Sequence, residues 1–251
     1  MKITIITVTY NSAEFLKYCI SSVLNQTYSD IEYIIVDGAS IDNTIEIIKS
    51  FKTIKYVSEP DRGIYDAINK GIKMATGEVI GILNSDDFFA DENVVSRIAH
   101  QFKLGSFDAL YSDIQFVDRE IPTTVVRYYS SKFFKPFLFK FGFQPAHPTF
   151  YVRKKILDKY GFYRTDLTIA GDFELLLRLI YLHKISYKYV DDLWVKMRVG
   201  GISTSGVNSV IKLNNQIVIS CRLNNVYTNK LMVYSKYFFK WWGFINKRNS
   251  I

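Results

Sequence analysis

The sequence predicts an α/β fold, in which a mostly parallel central sheet is flanked by helices and followed by a smaller antiparallel portion. Short β-branched runs alternate with helical patterns through the first half of the chain, which is typical of parallel strands connected by helices. Short polar residues follow the predicted strands, at the edge where open α/β sheets bind ligands. With 251 residues, 48% of them hydrophobic, the chain is long enough to bury one large core.

The predicted elements follow one another in a regular order. Strands are expected at Ile3–Thr9, Ile31–Asp37, Ile54–Val57, Glu78–Leu83 and Ala109–Asp113. Helices are expected at Ala13–Asn25, Asn43–Phe51, Ile64–Ala75 and Glu92–Phe102, with polar residues or a closing glycine at their ends. The second half is expected to contain antiparallel strands near Ile114–Arg127 and Pro148–Val152, a helix from Asp172 to about His183, and a glycine-rich loop at Gly200–Gly206.

Positive charge is concentrated at the C-terminal end of the chain. The formal net charge is +8, yet no acidic residue follows Asp192, whereas nine Lys and Arg residues lie between Leu193 and Ile251. A basic tail can meet nucleic acid, anionic lipid or an acidic partner, and charge alone does not choose between them. Because no helix-turn-helix or base-stacking motif accompanies the tail, no nucleic-acid partner is expected.

The cysteines and the apolar runs indicate a cytoplasmic protein. Cys19 and Cys221 are far apart and belong to no Cys-x-x-Cys or Cys/His cluster, so neither a disulfide nor a zinc site is expected. The N-terminal segment lacks the apolar core of a signal peptide. No run of about 18 apolar residues predicts a membrane-spanning helix.

One acidic run directly follows a predicted buried strand. Asn84-Ser85-Asp86-Asp87 comes after Val79-Ile80-Gly81-Ile82-Leu83, so two adjacent carboxylates are expected at the ligand-binding edge. Such hard oxygen ligands suit Mg²⁺ or Mn²⁺ bound to a diphosphate. The simpler interpretation is a cap at the start of the next helix. No glycine-rich phosphate loop follows the first strand, which disfavours a dinucleotide-binding protein, a P-loop protein and a nucleotidyltransferase.

Six motifs occur in an order similar to that of a known family. They are Val8–Asn11, Ser22–Thr27, Ile35–Asp42, Gly63–Gly71, Asn84–Asp87 and Gly171–Glu174. Over roughly residues 2–205 the chain thereby resembles the family 2 glycosyltransferases of the GT-A fold, which is Rossmann-like, and in particular the bacterial enzymes that assemble capsule, O-antigen or exopolysaccharide units. The resemblance implies one domain over residues 1–225, with a nucleotide-sugar-binding half at 1–113 and an acceptor-side half at 114–225.

The resemblance also implies roles for individual residues. The implied contacts to a nucleotide-sugar, with a UDP-sugar favoured, are Thr9, Tyr10, Asn11, Asp37, Arg62, Asn69, Asn84, Ser85 and Asp86. Asp87 is implied as the direct ligand of Mn²⁺ or Mg²⁺, with Asp86 beside it. Asn84 stands where the commoner motif has an acid, which removes one charge from the metal site.

Asp172 is implied as the general base of an inverting transfer, in which a carboxylate takes the proton of the acceptor hydroxyl. Capping of the following helix is the simpler interpretation of Asp172. The family usually has Glu-Asp where this chain has Gly171-Asp172, and Glu174 is an alternative base. Residues implied near the acceptor are His147, Glu174, Arg198, Gly200 and Gly201. For His147, a hydrogen-bonded structural role is equally open.

Two aromatic segments are explained neither by the predicted core nor by catalysis. Residues 133–143 combine phenylalanines with lysines, and residues 226–251 are expected to form a basic amphipathic C-terminal appendage. Helical spacing predicts one face with Phe238, Trp241 and Trp242 and an opposite face with Lys236 and Lys240. This pattern is typical of a helix lying on an anionic membrane surface. Packing against the domain or in a homodimer is the alternative.

The resemblance to family 2 glycosyltransferases, together with the basic aromatic tail, implies a function for the chain. The chain is expected to be a peripheral enzyme at the inner face of the cell membrane, which transfers a hexose to a saccharide or a lipid-linked saccharide in surface polysaccharide synthesis. The alternatives are a catalytically inactive family member and a basic protein that binds nucleic acid or lipid.

Overall fold

Within residues 1–200 and 206–247, which the computed structural model describes, nine strands form one mixed sheet. The side chains of residue 207 and of residues 239–247 are not described. The strands are β1 Ile3–Thr9, β2 Ile31–Asp37, β3 Lys55–Ser58, β4 Val79–Ile82, β5 Phe88–Phe89, β6 Ala109–Val117, β7 Val125–Tyr129, β8 Tyr151–Arg153 and β9 Tyr187–Arg198.

Helices cover both faces of this sheet. They are α1 Ala13–Leu24, α2 Thr44–Lys49, α3 Ile64–Met74, α4 Val94–Leu104, α5 Lys154–Tyr160, α6 Gly171–Leu176, α7 Val207–Leu223 and α8 Lys230–Lys247. The chain also forms two 3₁₀ turns, Pro136–Phe141 and His147–Thr149, and α6 continues as a π-helical segment, Leu177–Leu182.

The strand order combines a parallel half with a mixed half. Neighbouring strands follow the order β3-β2-β1-β4-β8-β6-β9-β5, and β7 also pairs with β6. The pairs among β3, β2, β1 and β4 are parallel, β8 is antiparallel to both β4 and β6, and β9 is again parallel to β6. This topology confirms the predicted α/β class with a smaller antiparallel portion.

The alternation of side chains along β1 divides the core into two layers. Every residue of β1 is buried, which places it at the centre of the sheet. Ile3 and Ile5 pack with residues of α1 and α4 on one face, whereas Ile6 and Val8 pack with residues of α3 and α6 on the other. Since β1, β2 and β4 run in the same direction, their carboxyl ends place the polar residues that follow them at one edge.

A glycine makes the junction between the two halves of the sheet. A Cβ atom added to Gly81 in β4 would lie 2.1 Å from the ring of Tyr151, which belongs to β8. Tyr151 in turn meets Trp194 of β9 edge-on, with ring centroids 5.8 Å apart. Glycine at position 81 therefore leaves room for the Tyr151 ring, which packs between β4 and Trp194 of β9.

The long strand β9 is absent from the predicted elements. Its alternation is interrupted by Asp191 and Asp192, and its pairing with β6 shifts register close to these residues. The strand accommodates Asp192 because its carboxylate accepts hydrogen bonds from Arg97 and from the indole of Trp194. Only tertiary contacts make this pair of acids compatible with a strand.

The C-terminal helix α8 packs on the domain, and this corrects one residue assignment. Lys236, predicted on a basic face toward a membrane, is 4% exposed, and its ammonium lies against Gly142. Phe238 lies on the exposed side of the same helix. The prediction for Lys236 is therefore wrong, because this side of α8 faces the protein. The side chains of Lys240, Trp241 and Trp242 lie outside the described part. Among the described helices, none is long and apolar enough to cross a membrane.

Candidate active site

The loop after β1 is held by hydrogen bonds to the loop after β2. The amide of Asn11 donates to Ser40 Oγ at 2.8 Å, and its side-chain oxygen accepts from the amide of Ile41 at 2.9 Å. Asn11 has a φ of 48°, a left-handed conformation that asparagine tolerates better than most residues. The neighbouring Thr9 is buried, and its hydroxyl has no hydrogen-bond partner among the described residues.

Asp37 organises the floor of this region. Its carboxylate is fully buried and accepts hydrogen bonds from the amide and hydroxyl of Ser40 and from the hydroxyl of Ser58. The last of these joins the ends of β2 and β3. Asp37 thus fixes the loops that lie beside Thr9 and Asn11.

An aromatic ring and an acidic loop lie on either side of Gly38. A Cβ atom at Gly38 would lie 2.5 Å from the Asp61 carboxylate and 3.4 Å from the Tyr10 ring. Tyr10 is 62% exposed, so its ring is available for stacking on a flat ligand. Arg62, beside Asp61, is highly exposed and forms an ion pair with Asp66 at 3.1 Å.

The acidic loop after β4 contains a carboxylate oxygen without a partner. Asp87 is 1% exposed, Asn84 donates to its Oδ2 at 3.0 Å, and its Oδ1 is buried with no hydrogen-bond partner in the described part of the chain. Burial, followed by the charge of Asp86, raises the pKa of Asp87 well above its usual value. Burial also raises the pKa of Asp86. Ser85 connects this loop to α1 through a hydrogen bond to Ser12 at 3.1 Å.

Arg198, predicted near the acceptor, lies against the acidic loop. Its guanidinium donates to the main-chain oxygen of Asp86 at 2.8 Å and is buried over three rings, those of Phe15, Tyr18 and Phe88. Its positive charge counteracts the effect of burial on the pKa of Asp86 and Asp87. The register of β9 places it there, so Arg198 supports the acidic pair from within the protein.

A second arginine, Arg119, completes this group and was not among the predicted residues. It lies in the turn after β6, where it stacks on Phe15 at 4.5 Å and pairs with Glu14 at 3.1 Å. It lowers the pKa of Asp86, and its guanidinium lies 3.7 Å from the position of a Cβ at Gly200. Its turn has no sequence signal beyond polarity. Gly200 has a φ of 102°, whereas Gly201 lies outside the described residues.

Asp172 is held by two neutral donors at the start of α6. Its carboxylate accepts hydrogen bonds from the hydroxyl of Tyr65 at 3.2 Å and from the amide nitrogen of Gln144 at 2.8 Å. The side-chain oxygen of Gln144 is buried and has no partner among the described residues. Tyr65 lies in the first turn of the helix that follows β3, so Asp172 lies at the same edge of the sheet as the loops above.

The residue before Asp172 explains the departure from the commoner Glu-Asp pair. A Cβ atom at Gly171 would lie 2.7 Å from the ring of Tyr65, closer than real contacts allow. Glycine therefore gives the Tyr65 ring room to approach. The single hydroxyl proton of Tyr65 lies within reach of two acceptors, the main-chain oxygen of Ile169 at 2.7 Å and the Asp172 carboxylate at 3.2 Å. A bulkier residue at position 171 would exclude the Tyr65 ring, and with it this hydroxyl.

Asn69 and His147 both contact Tyr163. The Asn69 side chain makes two hydrogen bonds with the main chain of Tyr163, so in this structure it connects α3 to the segment before α6. The Nε2 atom of His147 lies 2.8 Å from the Tyr163 hydroxyl. Burial lowers the pKa of His147, although the charge of Asp172 opposes this effect. His147 therefore favours the neutral form near Asp172.

Glu174, the alternative base, is part of a buried ion pair. It is 1% exposed, Arg178 binds both of its oxygens, and Asn224 donates to one of them. This arrangement connects α6 to the end of α7. Because its carboxylate is enclosed by protein partners, Glu174 is not accessible to an acceptor hydroxyl.

The acidic loop fits a divalent cation held partly by a ligand. The described residues contain no cluster of three or more Asp, Glu, His or Cys side chains that could enclose a metal. Mg²⁺ and Mn²⁺ sites that work on phosphates commonly use only one or two carboxylates and complete their coordination with phosphate oxygens and water. The unpaired Oδ1 of Asp87 and the adjacent carboxylate of Asp86 provide such a partial set.

Sequence comparison identifies relatives that cover most of the chain. The family model described as "Glycosyl transferase family 2" matches residues 4–161. The chain is 27% identical over 199 residues to a PGL/p-HBAD biosynthesis glycosyltransferase of Mycobacterium bovis, covering 74% of this chain and 75% of that protein. It is also 31% identical over 115 residues to chondroitin synthase of Escherichia coli, covering 44% of this chain and 17% of the synthase.

Solved structures share the fold at low sequence identity. S. aureus TarS 1–349 in complex with UDP-GlcNAc aligns with a TM-score of 0.70 and 18% identity, covering 93% of this chain and 70% of TarS 1–349. The mannosyltransferase PcManGT from Pyrobaculum calidifontis, in complex with GDP-Man and Mn²⁺, aligns with a TM-score of 0.66 and 15% identity, covering 94% of this chain and 68% of that chain. At these identities the likeness concerns the fold alone.

Proposed function

Since this chain belongs to glycosyl transferase family 2 and is a glycosyltransferase, we propose that it moves a hexose-type sugar from a nucleoside-diphosphate sugar to a saccharide hydroxyl with inversion. A UDP-sugar is the favoured donor, which the complex of TarS with UDP-GlcNAc supports. The observation that carries the proposal is that two sites lie at one edge of the sheet. One is the acidic loop, in which Asp87 has an oxygen without a partner among the described residues, and the other is the carboxylate of Asp172, which neutral donors orient.

In this proposal the loops after β1, β2 and β3 bind the nucleotide. The exposed ring of Tyr10 stacks on the base, and the carboxylate of Asp37 accepts a hydrogen bond from the base or ribose. The buried hydroxyl of Thr9 gains a partner when the nucleotide is bound. Arg62 is exposed enough to leave Asp66 and reach the diphosphate, which a guanidinium binds well.

The acidic loop would hold a divalent cation beside the diphosphate. Asp87 contributes the direct ligand, Asp86 supports it, and Asn84 orients the Asp87 carboxylate. A bound Mn²⁺ or Mg²⁺ supplies neutralisation of the charge that develops on the leaving diphosphate. Arg198 keeps this loop in place through its hydrogen bond to the Asp86 main chain.

Asp172 acts as the general base on the acceptor side. Two of its acceptor positions are used by Tyr65 and Gln144, which fixes its direction and leaves other lone pairs for the acceptor hydroxyl. The unpaired oxygen of Gln144 lies beside it and suits a second hydroxyl of the acceptor sugar. The acceptor is a saccharide, in our proposal one linked to a lipid carrier, and the enzyme works at the inner face of the membrane in surface polysaccharide synthesis.

Replacement of Asp172 separates catalysis from donor binding. We expect Asp172→Asn to lower kcat by about 10³-fold, within the range of general-base catalysis, because an amide cannot take the acceptor proton. Affinity for the donor should stay within about twofold, because Asp172 is not among the proposed nucleotide contacts. A panel of nucleotide-sugars, screened first by thermal shift with and without Mn²⁺, identifies the donor for this assay.

Asp166→Asn is the matched control, since Asp166 is an exposed carboxylate paired with Arg164 shortly before α6. It should retain full activity. If Asp172→Asn transferred sugar as fast as the unchanged protein, Asp172 would not be the base. If no nucleotide-sugar stabilised the unchanged protein with or without Mn²⁺, the proposed donor class would be wrong.

A further inference from the structure

Six exposed apolar side chains lie on three neighbouring elements, which are the first 3₁₀ turn with the residues before it, the π-helical segment, and α8 with the residues before it. We infer that they form a docking face for an anionic membrane surface. The residues of this face differ from those of the amphipathic C-terminal helix predicted from the sequence. The members of this docking face are Phe133, Phe137, Leu182, Tyr227, Leu231 and Tyr234, all of them exposed. The inference extends the proposed function, because a lipid-linked acceptor would lie in the same membrane.

Direct contacts join the three elements that carry these residues. The hydroxyl of Thr228, just before α8, donates to the main-chain oxygen of Lys140 in the first 3₁₀ turn. The Lys140 ammonium lies 5.9 Å from the ring centre of Tyr181 in the π-helical segment. Pro136 and Leu182 line one open cavity of about 560 Å³. These contacts show that the three elements adjoin, so their exposed apolar residues lie on neighbouring parts of the surface.

The helix α8 is anchored by one side and leaves an apolar stripe on the other. Val233 is fully buried and Lys236 nearly so, and both lie against Gly142. Leu231 is 84% exposed, and Tyr234, three positions later, lies on the same exposed side. Single exposed apolar residues need no explanation, whereas a continuous apolar surface marks an interaction site.

The charge of the docking face selects its partner. Residues 121–157 and 193–251, which supply the 3₁₀ turn and α8, contain no Asp or Glu. Lys135, Lys184 and Lys230 are exposed among the apolar residues. Contacts place two acids beside this surface: Asp191 is paired with Lys132 at 2.7 Å, and Asp108 lines a neighbouring cavity together with Lys184, Lys155 and Lys159. A second copy docking here would bring two basic faces together, which costs free energy, whereas an anionic bilayer accommodates both the aromatic rings and the lysines.

Vesicle binding by the full chain tests this inference. We expect the protein to bind vesicles that contain phosphatidylglycerol much more strongly than vesicles of phosphatidylcholine alone, and added salt to weaken the binding. Phe133→Asp and Leu231→Asp should each lower binding by about tenfold or more, because each removes apolar contact and adds an acid. Both side chains are more than 80% exposed, 83% and 84%, so the fold should tolerate the change.

Leu104→Asp is the matched control, since Leu104 is 66% exposed at the end of α4 and lies outside the docking face. It should leave vesicle binding unchanged. Equal vesicle binding by the unchanged protein and both face variants would overturn the inference. So would a dimer in solution that either face variant converts to a monomer, because the face would then be a contact between copies.

Turnover of the donor on a soluble saccharide distinguishes this inference from the proposed function. The face variants should retain that turnover while losing vesicle binding. A protein that binds anionic vesicles through this face and turns over no nucleotide-sugar would support the docking face and contradict the proposed function.

Discussion

Two carboxylate sites at one edge of the sheet differ in what surrounds them. In the loop after β4, Asp86 and Asp87 are adjacent acids in a desolvated position, and burial raises the pKa of both. At the start of α6, Asp172 stands alone and accepts hydrogen bonds from the neutral side chains of Tyr65 and Gln144. The acidic loop is thus short of positive charge, whereas Asp172 already has partners that fix its direction.

This difference assigns the two sites different chemistry. Neighbouring buried acids resist ionisation together until a cation or a basic group compensates for their charge, and Arg198 supplies only part of that compensation. A single carboxylate with neutral donors can accept a proton without a competing cation. Residue type alone does not distinguish the two sites, because both are aspartates. The surrounding groups do.

After Asp172→Asn, the largest expected effect in this comparison comes from Asp87. We expect Asp87→Asn to lower transfer by at least about 10²-fold at limiting Mn²⁺ and to raise the Mn²⁺ concentration needed for half-maximal donor binding. The reason is that Asn84 would then orient an amide with no charge toward the cation. Calorimetric titration of the donor at several Mn²⁺ concentrations measures this shift.

Asn84→Asp is the matched variant for this measurement, because it adds an acid to the same loop. It should lower the Mn²⁺ concentration needed, the opposite direction from Asp87→Asn. If neither variant changed the Mn²⁺ concentration needed for donor binding, the acidic loop would not be the cation site. The chemical contrast with Asp172 would then be wrong.

Gln144 provides a smaller test on the other side of the comparison. We expect Gln144→Ala to lower kcat/KM by about tenfold, because Asp172 loses one of its two orienting donors and the acceptor loses a polar contact. Donor affinity should not change. The measurement is a saturation curve for the acceptor at fixed donor concentration.

Tyr65→Phe is the companion variant, since it removes the other donor and keeps the ring against Gly171. The two changes should combine less than additively if both act by orienting Asp172. Full additivity, or a loss of donor affinity in either variant, would contradict an orienting role.

The parallel half of the fold follows closely from local sequence patterns. The observed bounds of β1 and β2 agree with the predicted ones, and those of α1 and α3 differ by a single residue at the C-terminal end. Here each strand or helix is encoded by its own hydrophobic period and by polar residues at its ends. Local patterns of this kind also predicted, without any tertiary information, that the acidic motif follows β4.

The mixed half depends on contacts between distant residues. Arg198 supports the acidic loop only because β9 pairs with both β6 and β5, and the strand was not predicted. Gln144 and Arg119 lie in irregular segments without a periodic signal. Lys236 was assigned to the wrong environment because helical spacing separates two faces of α8 and does not identify which one packs on the 3₁₀ turn. These positions are determined by tertiary packing.

Glu32 is a buried carboxylate outside the candidate active site and gives the smallest expected effect on activity. Burial alone would raise its pKa, but hydrogen bonds from Lys55, Thr4 and Thr76 outweigh that effect and lower the pKa to about 2. It lies at the start of β2, at the opposite end of the strand from Asp37. A fully partnered acid of this kind should contribute to stability and not to transfer.

We expect Glu32→Gln to leave kcat/KM unchanged and to lower the free energy of unfolding at pH 7 by on the order of 2 kcal/mol. The lowered pKa means that the charged carboxylate stabilises the folded protein above the unfolded-state pKa of about 4.3, and that this contribution disappears as the pH falls toward 2. Urea unfolding at pH 7 and near pH 3 should therefore show the difference between the two proteins shrinking with acid. Glu78→Gln, at an exposed carboxylate just before β4, is the control and should have little effect at either pH. A constant difference in unfolding free energy between the Glu32→Gln variant and the unchanged protein across this pH range would mean that the lost stability arises from packing and not from the charge of Glu32. The ionisation of Glu32 would then differ less from that of Asp86 and Asp87 than their hydrogen bonds indicate.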